Sequence, residues 1–404
     1  MIKLCSHYKT SEAQLSQSLS AYQRLVNRKD LGFHQLPQRK ILWESVLKRG
    51  EEIAPLADQM VVCGIGGSSL GGLAIADTLQ IKNVYFFENV DALDFWSKLG
   101  DVLNLERTHW VFVSKSGSTV ETLTQLNFIS EFYEDHHLQL STYSTVITED
   151  KESPLSHWAK DHRVTQLEVP LDVGGRFSVL SPVGLLAAHF GGASVLQMME
   201  GAGVALEQKQ LVAETALQFL ESFKNEKWIS IFWFYSSRMR YFGLWLEQLW
   251  AESLAKKKDR QGKTPQRVST PISLVGANDQ HSVLQQLAEG ASDKFVSFFR
   301  FNDVENFGKP LSRPLFQATK GLRGKSMGAL LGAEAQATGM ALEESGVPCQ
   351  HFNLQSLDSR TLGYLFMFWE LVVGTLGEAI DIDTFNQPGV ERGKVLARQI
   401  LENS

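Results

Sequence analysis

Nine short apolar runs punctuate the chain, separated by stretches of helical period. QMVVCGI (59–65), VYFFENV (84–90), WVFVSKS (110–116), STVITE (144–149) and VTQLEV (164–169) have the length and β-branched content of buried strands. WISIFWFY (228–235), VSTPISLVG (268–276), KFVSFFRF (294–301) and PCQHFNL (348–354) repeat the pattern, with long helices predicted through WLEQLWAESL (245–254) and around residues 326–345. Continuously apolar strands alternating with helices predict a mainly parallel sheet covered on both faces. Residues 1–57 read as helical and amphipathic, with Leu15, Leu19, Tyr22 and Leu25 at helical spacing and Pro37 marking a break. Pro182 to about Phe223 also reads as helical. The whole predicts an α/β protein of two sandwiches in tandem: an N-terminal helical segment (1–57), a first domain (58–190), a helical connection (191–223), and a second domain (224–404) ending in a helix.

Composition adds limits. At 404 residues the chain exceeds what one core normally serves, which agrees with two domains. With 43% hydrophobic and 21% charged residues it is ordinary globular material. A net charge of -6 points away from nucleic acid and from membrane surfaces, so any anion must be held by local backbone N–H groups and a few placed cations. Cys5, Cys63 and Cys349 are odd in number and far apart, forming neither a disulfide framework nor a CxxC pair. The N-terminus MIKLCSHYKT is too polar for a signal peptide, and no apolar run approaches 18 residues. A cytoplasmic enzyme is the expectation.

Six stretches carry candidate chemistry. GIGGSSLGG (64–72) directly follows a predicted strand, where glycines allow close backbone approach and the next helix offers free N–H groups to an anion. Its spacing is neither the dinucleotide fingerprint nor a P-loop, and a tight turn without ligand reads equally from it. SKSGSTVET (114–122) puts five hydroxyls in nine residues at another strand end, more than helix capping requires, and suits a phosphate held without a metal. In VGGRFSVLSPVG (173–184), Arg176 follows two glycines and reads either as a surface ion-pair partner or as a fixed cation aimed at developing negative charge. Gln248 and Glu252 share a helical face beside Leu246, Leu249 and Trp250. A carboxylate near that much apolar surface suits a general base if it is buried, and otherwise is an exposed helical Glu. GANDQHS (276–282) places His281 after a strand, and FNQPGVERGK (385–394) gathers an amide, a carboxylate and two cations beside a Pro-Gly turn. His136 and His137 are adjacent, a poor spacing for shared metal ligation.

In this order and at these separations, the six stretches resemble the glucose-6-phosphate isomerase family from about residue 59 to 398. The resemblance implies two sugar-isomerase (SIS-type) domains and reversible isomerisation of glucose 6-phosphate and fructose 6-phosphate through a cis-enediolate, in glycolysis and gluconeogenesis. It implies no cofactor and no metal. It assigns Ser114, Lys115, Ser116 and Thr119, with Ser68, to the sugar phosphate, and Glu252 to the proton transfer between C1 and C2. Arg176 would stabilise the enediolate, His281 and Lys394 would open the ring, and Gln248 and Gln387 would line the pocket. Glu391 stays open, and Arg392 keeps a solvated-surface reading. The resemblance also implies a homodimer whose partner subunit supplies the histidine. The sequence departs from the family where AKKKDRQGK (255–263) follows the Glu252 segment, and its shortness for the family predicts that peripheral helices or the C-terminal arm are trimmed. Two other readings stay open: a broader isomerase that also accepts mannose 6-phosphate, and a sugar-phosphate sensor that binds without converting.

Overall fold

The computed structural model describes residues 3–101 and 104–402, apart from the side chain of Glu391. Two five-stranded sheets form the frame. The first comprises β2 (Gln59–Cys63), β3 (Val84–Phe87), β4 (Thr108–Val113), β5 (Ser144–Thr148) and β6 (Thr165–Glu168), all parallel, in the order β3-β2-β4-β5-β6. The second comprises β1 (Lys3–Cys5), β7 (Ile229–Phe234), β8 (Thr270–Val275), β9 (Lys294–Phe301) and β10 (Cys349–Leu354), in the order β1-β10-β9-β7-β8. All nine predicted strands are present at these positions, and the mainly parallel α/β architecture is the expected one.

The tenth strand departs from the expectation. Lys3–Cys5 lies antiparallel to β10, with Leu4 opposite Phe352, inside a segment whose pattern reads as helical. Three residues are too few to show a period, and the partner strand lies near the other end of the chain, so the pairing is invisible locally. The rest of the segment is helical as predicted, at Glu12–Val26 and Lys40–Ile53, with Pro37 inside a 3-10 turn between them. Ser11 and Gln14 close a reciprocal capping box that starts the first of these helices.

In each sheet the chain leaves a central strand, adds one neighbour, then crosses to the other side. β2 is flanked by β3 and β4, and β7 by β8 and β9. At such a reversal the loops beyond the strand C-termini diverge and leave a crevice. The stretches 64–72 and 114–122 sit at the crevice of the first sheet. Helices Leu70–Leu79, which follows β2, and Arg240–Leu254, which follows β7, pack against each other and bring the two sheets together. One continuous apolar core runs from Val62 and Val111 in the first sheet to Phe232 and Phe299 in the second.

Helix Ser359–Ala379 threads this core and is buried without interruption from Leu362 to Glu378. It is long and apolar enough to cross a membrane, although the sequence contains no unbroken run of that kind, but its surroundings here are protein. Glu370 lies within it, fully buried, and among the described residues neither carboxylate oxygen has a hydrogen-bond partner. Burial raises its pKa well above the usual carboxylate value of 4.5 and keeps it protonated. Because the folded value lies above the unfolded one, this residue's contribution to stability falls as pH rises from about 4.5 toward the folded pKa. Glu370→Leu is expected to stabilise the protein by about 1–3 kcal/mol at neutral pH, the cost of a buried polar group without a partner. Thermal melts from pH 5 to 8 should show the wild type losing more stability than the variant, and parallel curves would refute the assignment.

Candidate active site

The site grows from two turns that meet beside the helix Arg240–Leu254 and from a third at the end of the strand next to the first of them. The first is the Gly-rich turn after β2, whose 3-10 segment Gly66–Ser68 abuts the 3-10 segment Gly175–Phe177. The approach is so close that a Cβ added at Gly67 would lie 2.7 Å from the Gly175 carbonyl. Ser68 is partly exposed in this turn, and an added Cβ at Gly66 would meet the Gln248 side chain at 3.0 Å. The turn therefore touches both Arg176's loop and the Glu252 helix.

The second turn is 114–119, after β4. Ser114 is buried, its hydroxyl paired with the Thr119 hydroxyl at 2.8 Å, and the Gly117 N–H donates to the Ser114 carbonyl at 3.0 Å. Gly117 holds φ +66, and a side chain there would collide with Ser153. Ser116 and Ser118 are exposed, with the Ser118 N–H and hydroxyl both donating to Ser116 Oγ. Helix Val120–Asp135 begins at once, with Thr119 at its N-cap and no side-chain cap on its first N–H groups. The Lys115 ammonium pairs with buried Glu149 at 3.3 Å, and its carbonyl accepts from the Glu149 N–H, which pins the loop. This is a concave set of hydroxyls and N–H donors facing the crevice.

The third element brings Arg176, Glu252, Gln248 and Gln387 together. Arg176 is buried and fully engaged: Nε donates to Ser253 Oγ at 2.7 Å, Nη2 to the carbonyls of Thr384 and Asn386, and Nη1 to Gln387 Oε1 at 3.4 Å. Nη1 also lies 3.6 Å from Glu252 Oε2. Burial lowers the Arg176 pKa, while Glu252 and then Asp383 pull it upward. Gln248 Nε2 donates to Glu252 Oε1 at 3.1 Å, and its own buried carbonyl oxygen has no partner among the described residues. The Glu252 side chain is 29% exposed, neither the free surface Glu nor the fully buried carboxylate between which the sequence leaves the choice. It is a partly open carboxylate with a fixed cation on one side and an amide on the other.

Two expected residues stand on other helices. His281 is exposed at the start of helix Gln280–Glu289, after edge strand β8, and no hydrogen bond or ion pair joins it to Glu252, Arg176 or the 114–119 loop. Lys394 is exposed on helix Glu391–Glu402. Arg392 is exposed, as expected, and the Glu391 side chain lies outside those described.

Sequence reading passes over Ser253, Asp383 and Lys256. Ser253 adjoins Glu252, and Lys256 stands four residues beyond it, a spacing that offers a signal. The segment 255–263, which in the sequence is only a departure from the family pattern, is a defined turn. Asp259 Oδ1 accepts from the N–H groups of Gln261 and Lys263, and Arg260 is tied to Glu378. Among the described residues no three His, Cys, Asp or Glu side chains converge on a possible metal position.

Known proteins resemble this chain over most of its length. The family model described as phosphoglucose isomerase matches residues 48–404. A glucose-6-phosphate isomerase of Campylobacter jejuni is 30% identical over 403 residues, covering 96% of this chain and 97% of that one. The Thermus thermophilus glucose-6-phosphate isomerase is 35% identical over 382 residues, covering 92% and 90% of the two chains. The crystal structure of a glucose-6-phosphate isomerase from Chlamydia trachomatis superposes with a TM-score of 0.86 over 99% of this chain and 88% of that one, at 21% identity, a likeness of fold.

Proposed function

Because the chain belongs to the phosphoglucose isomerase family, we propose that it interconverts glucose 6-phosphate and fructose 6-phosphate by one-base proton transfer, in glycolysis and gluconeogenesis. The observation that carries the reading is the Glu252 carboxylate held 3.6 Å from a buried guanidinium. Ser114, Ser116, Thr119 and Ser68, with the Lys115 backbone, take the phosphate. Binding there, away from the reacting carbons, orients C1 and C2 against Glu252.

The chemistry follows from those residue types. His281 and Lys394 move a proton between ring oxygen and hydroxyl to open the sugar. Glu252 then takes the C2 proton while the C1 carbonyl oxygen receives the electron pair as an enediolate. The same carboxylate returns the proton to C1 while the C2 hydroxyl proton passes to O1, and C2 becomes the carbonyl. Arg176 meets the negative charge that develops on oxygen and needs no proton movement to do so. Gln248 and Gln387 flank the substrate. Since no contact joins His281 to Glu252 within one chain, the reading includes a homodimer in which a second copy presents His281 to this site. A cytoplasmic setting, without nucleic-acid or membrane partners, completes it.

Conversion of fructose 6-phosphate by purified protein in excess EDTA tests the reading, with mannose 6-phosphate as a second substrate. Rapid turnover is expected. Binding of fructose 6-phosphate without conversion would instead make the protein a sensor, and turnover of mannose 6-phosphate would mark a broader isomerase.

A further inference from the structure

Lys256 follows the last turn of the helix that carries Glu252, half-buried beneath the segment that carries Gln387. Its ammonium donates to the Glu252 carbonyl at 2.9 Å and to the Asn386 carbonyl. The same Asn386 oxygen accepts from Arg176 Nη2 at 3.4 Å. Two cations thus converge on one backbone oxygen, and Lys256 links it to the Glu252 backbone. Helices end in carbonyls without intrahelical partners and favour a cation there, so the Glu252 carbonyl gives the ammonium a fixed anchor. The first half of this segment is well fastened, by Arg176 on the buried Thr384 carbonyl and by Phe385 packed on Phe33 and Phe177, whereas Asn386 and Gln387 are exposed beyond it. Gln387 is exposed and meets Arg176 at 3.4 Å, while Asp383 braces the turn from within by accepting from the Phe385 N–H at 3.2 Å and from the Asn386 amide at 2.6 Å.

We propose that Lys256 is a positioning residue for the isomerase reaction: its charge latches the 384–387 turn to the Glu252 helix and so fixes Gln387 and the Arg176 head group relative to the carboxylate. The inference rests on the reading of the site given above. Lys256 touches the machinery through backbone oxygens, and its role is to keep two segments of the site in register. The charges facing it are Arg176 from the 175–177 turn, Asp383 from the segment below the latch, and Glu252 on its own helix. Burial, then Arg176, push its pKa down to about 8, against the pull of Asp383 and Glu252. Above that pH the side chain is a neutral amine with two hydrogens, and the latch weakens within a range an activity assay can reach.

The test compares wild type, Lys256→Met and Lys256→Arg as full-length proteins, following fructose 6-phosphate conversion from pH 6 to 10. At pH 7 Lys256→Met is expected to lose about 10-fold or more in kcat/KM, the scale of a small misplacement of reacting groups, with Lys256→Arg recovering most of it. Wild-type kcat/KM should decline as pH passes about 8, an alkaline limb absent from the Met variant and displaced upward in the Arg variant. A Met variant with wild-type kcat/KM and an unchanged limb overturns the proposal. Should the Met variant not fold, an unshifted limb in Lys256→Arg overturns it. If the wild type shows no turnover, the isomerase reading fails separately, and fructose 6-phosphate affinity of the same three proteins decides the latch: equal values across the pH range refute it.

Discussion

Glu252→Gln is expected to lower kcat by about 10²–10⁴-fold, the usual scale for a positioned base. Fructose 6-phosphate affinity should stay within a few-fold, because in the proposed mechanism the phosphate is held by 114–119 and not by residue 252. The substitution keeps the shape and leaves an acceptor for the Gln248 amide, now 3.1 Å from Glu252 Oε1. What it removes is the ability to carry a proton, and it replaces an ion pair with Arg176 by a neutral contact. The variant should also lose exchange of the C2 proton with solvent, which separates a failed proton transfer from slow ring opening. A Glu252→Gln variant within a few-fold of wild-type kcat would show that the base is another group.

Arg176→Ala is expected to cost about 10²–10³-fold in kcat, comparable to removing a donor aimed at a developing oxyanion, with a smaller rise in KM. In the proposed mechanism its charge has most to do when the enediolate forms. The structure adds a second consequence. The Arg176 side chain is buried and serves the Ser253 hydroxyl and the Thr384 carbonyl, both in buried residues, so Ala leaves two buried acceptors without this donor. Each such loss costs about 1–3 kcal/mol, and the thermal midpoint should fall along with kcat. Arg176→Lys cannot restore both effects, because an ammonium lacks the planar fork that reaches Ser253, Thr384 and Gln387 at once. Kinetics therefore need the folded fraction measured alongside by circular dichroism. A change confined to KM would make Arg176 a ground-state binder of substrate.

Much of this is written locally in the chain. The runs at 59–65, 110–116 and 294–301 can be read as strands because a strand buried on both faces has to be apolar throughout. The hydroxyls of 114–122 can be read as an anion cradle because five such side chains at a strand end exceed what capping uses. The i, i+4 spacing places Gln248 and Glu252 on one helical face, and they are hydrogen-bonded there.

What the sequence by itself determined, then, was the alternation of strands and helices and the side chains displayed at the strand ends, since both follow from periodicity and neighbouring residues. Only the tertiary structure decided that Lys3–Cys5 completes the second sheet, that Glu370 is sealed in the core, and that the Thr384 and Asn386 carbonyls hold Arg176 and Lys256 around Glu252. A backbone carbonyl is the same group in every residue and leaves no mark in a sequence. Its role depends on which distant cation the packing of the two sheets brings against it.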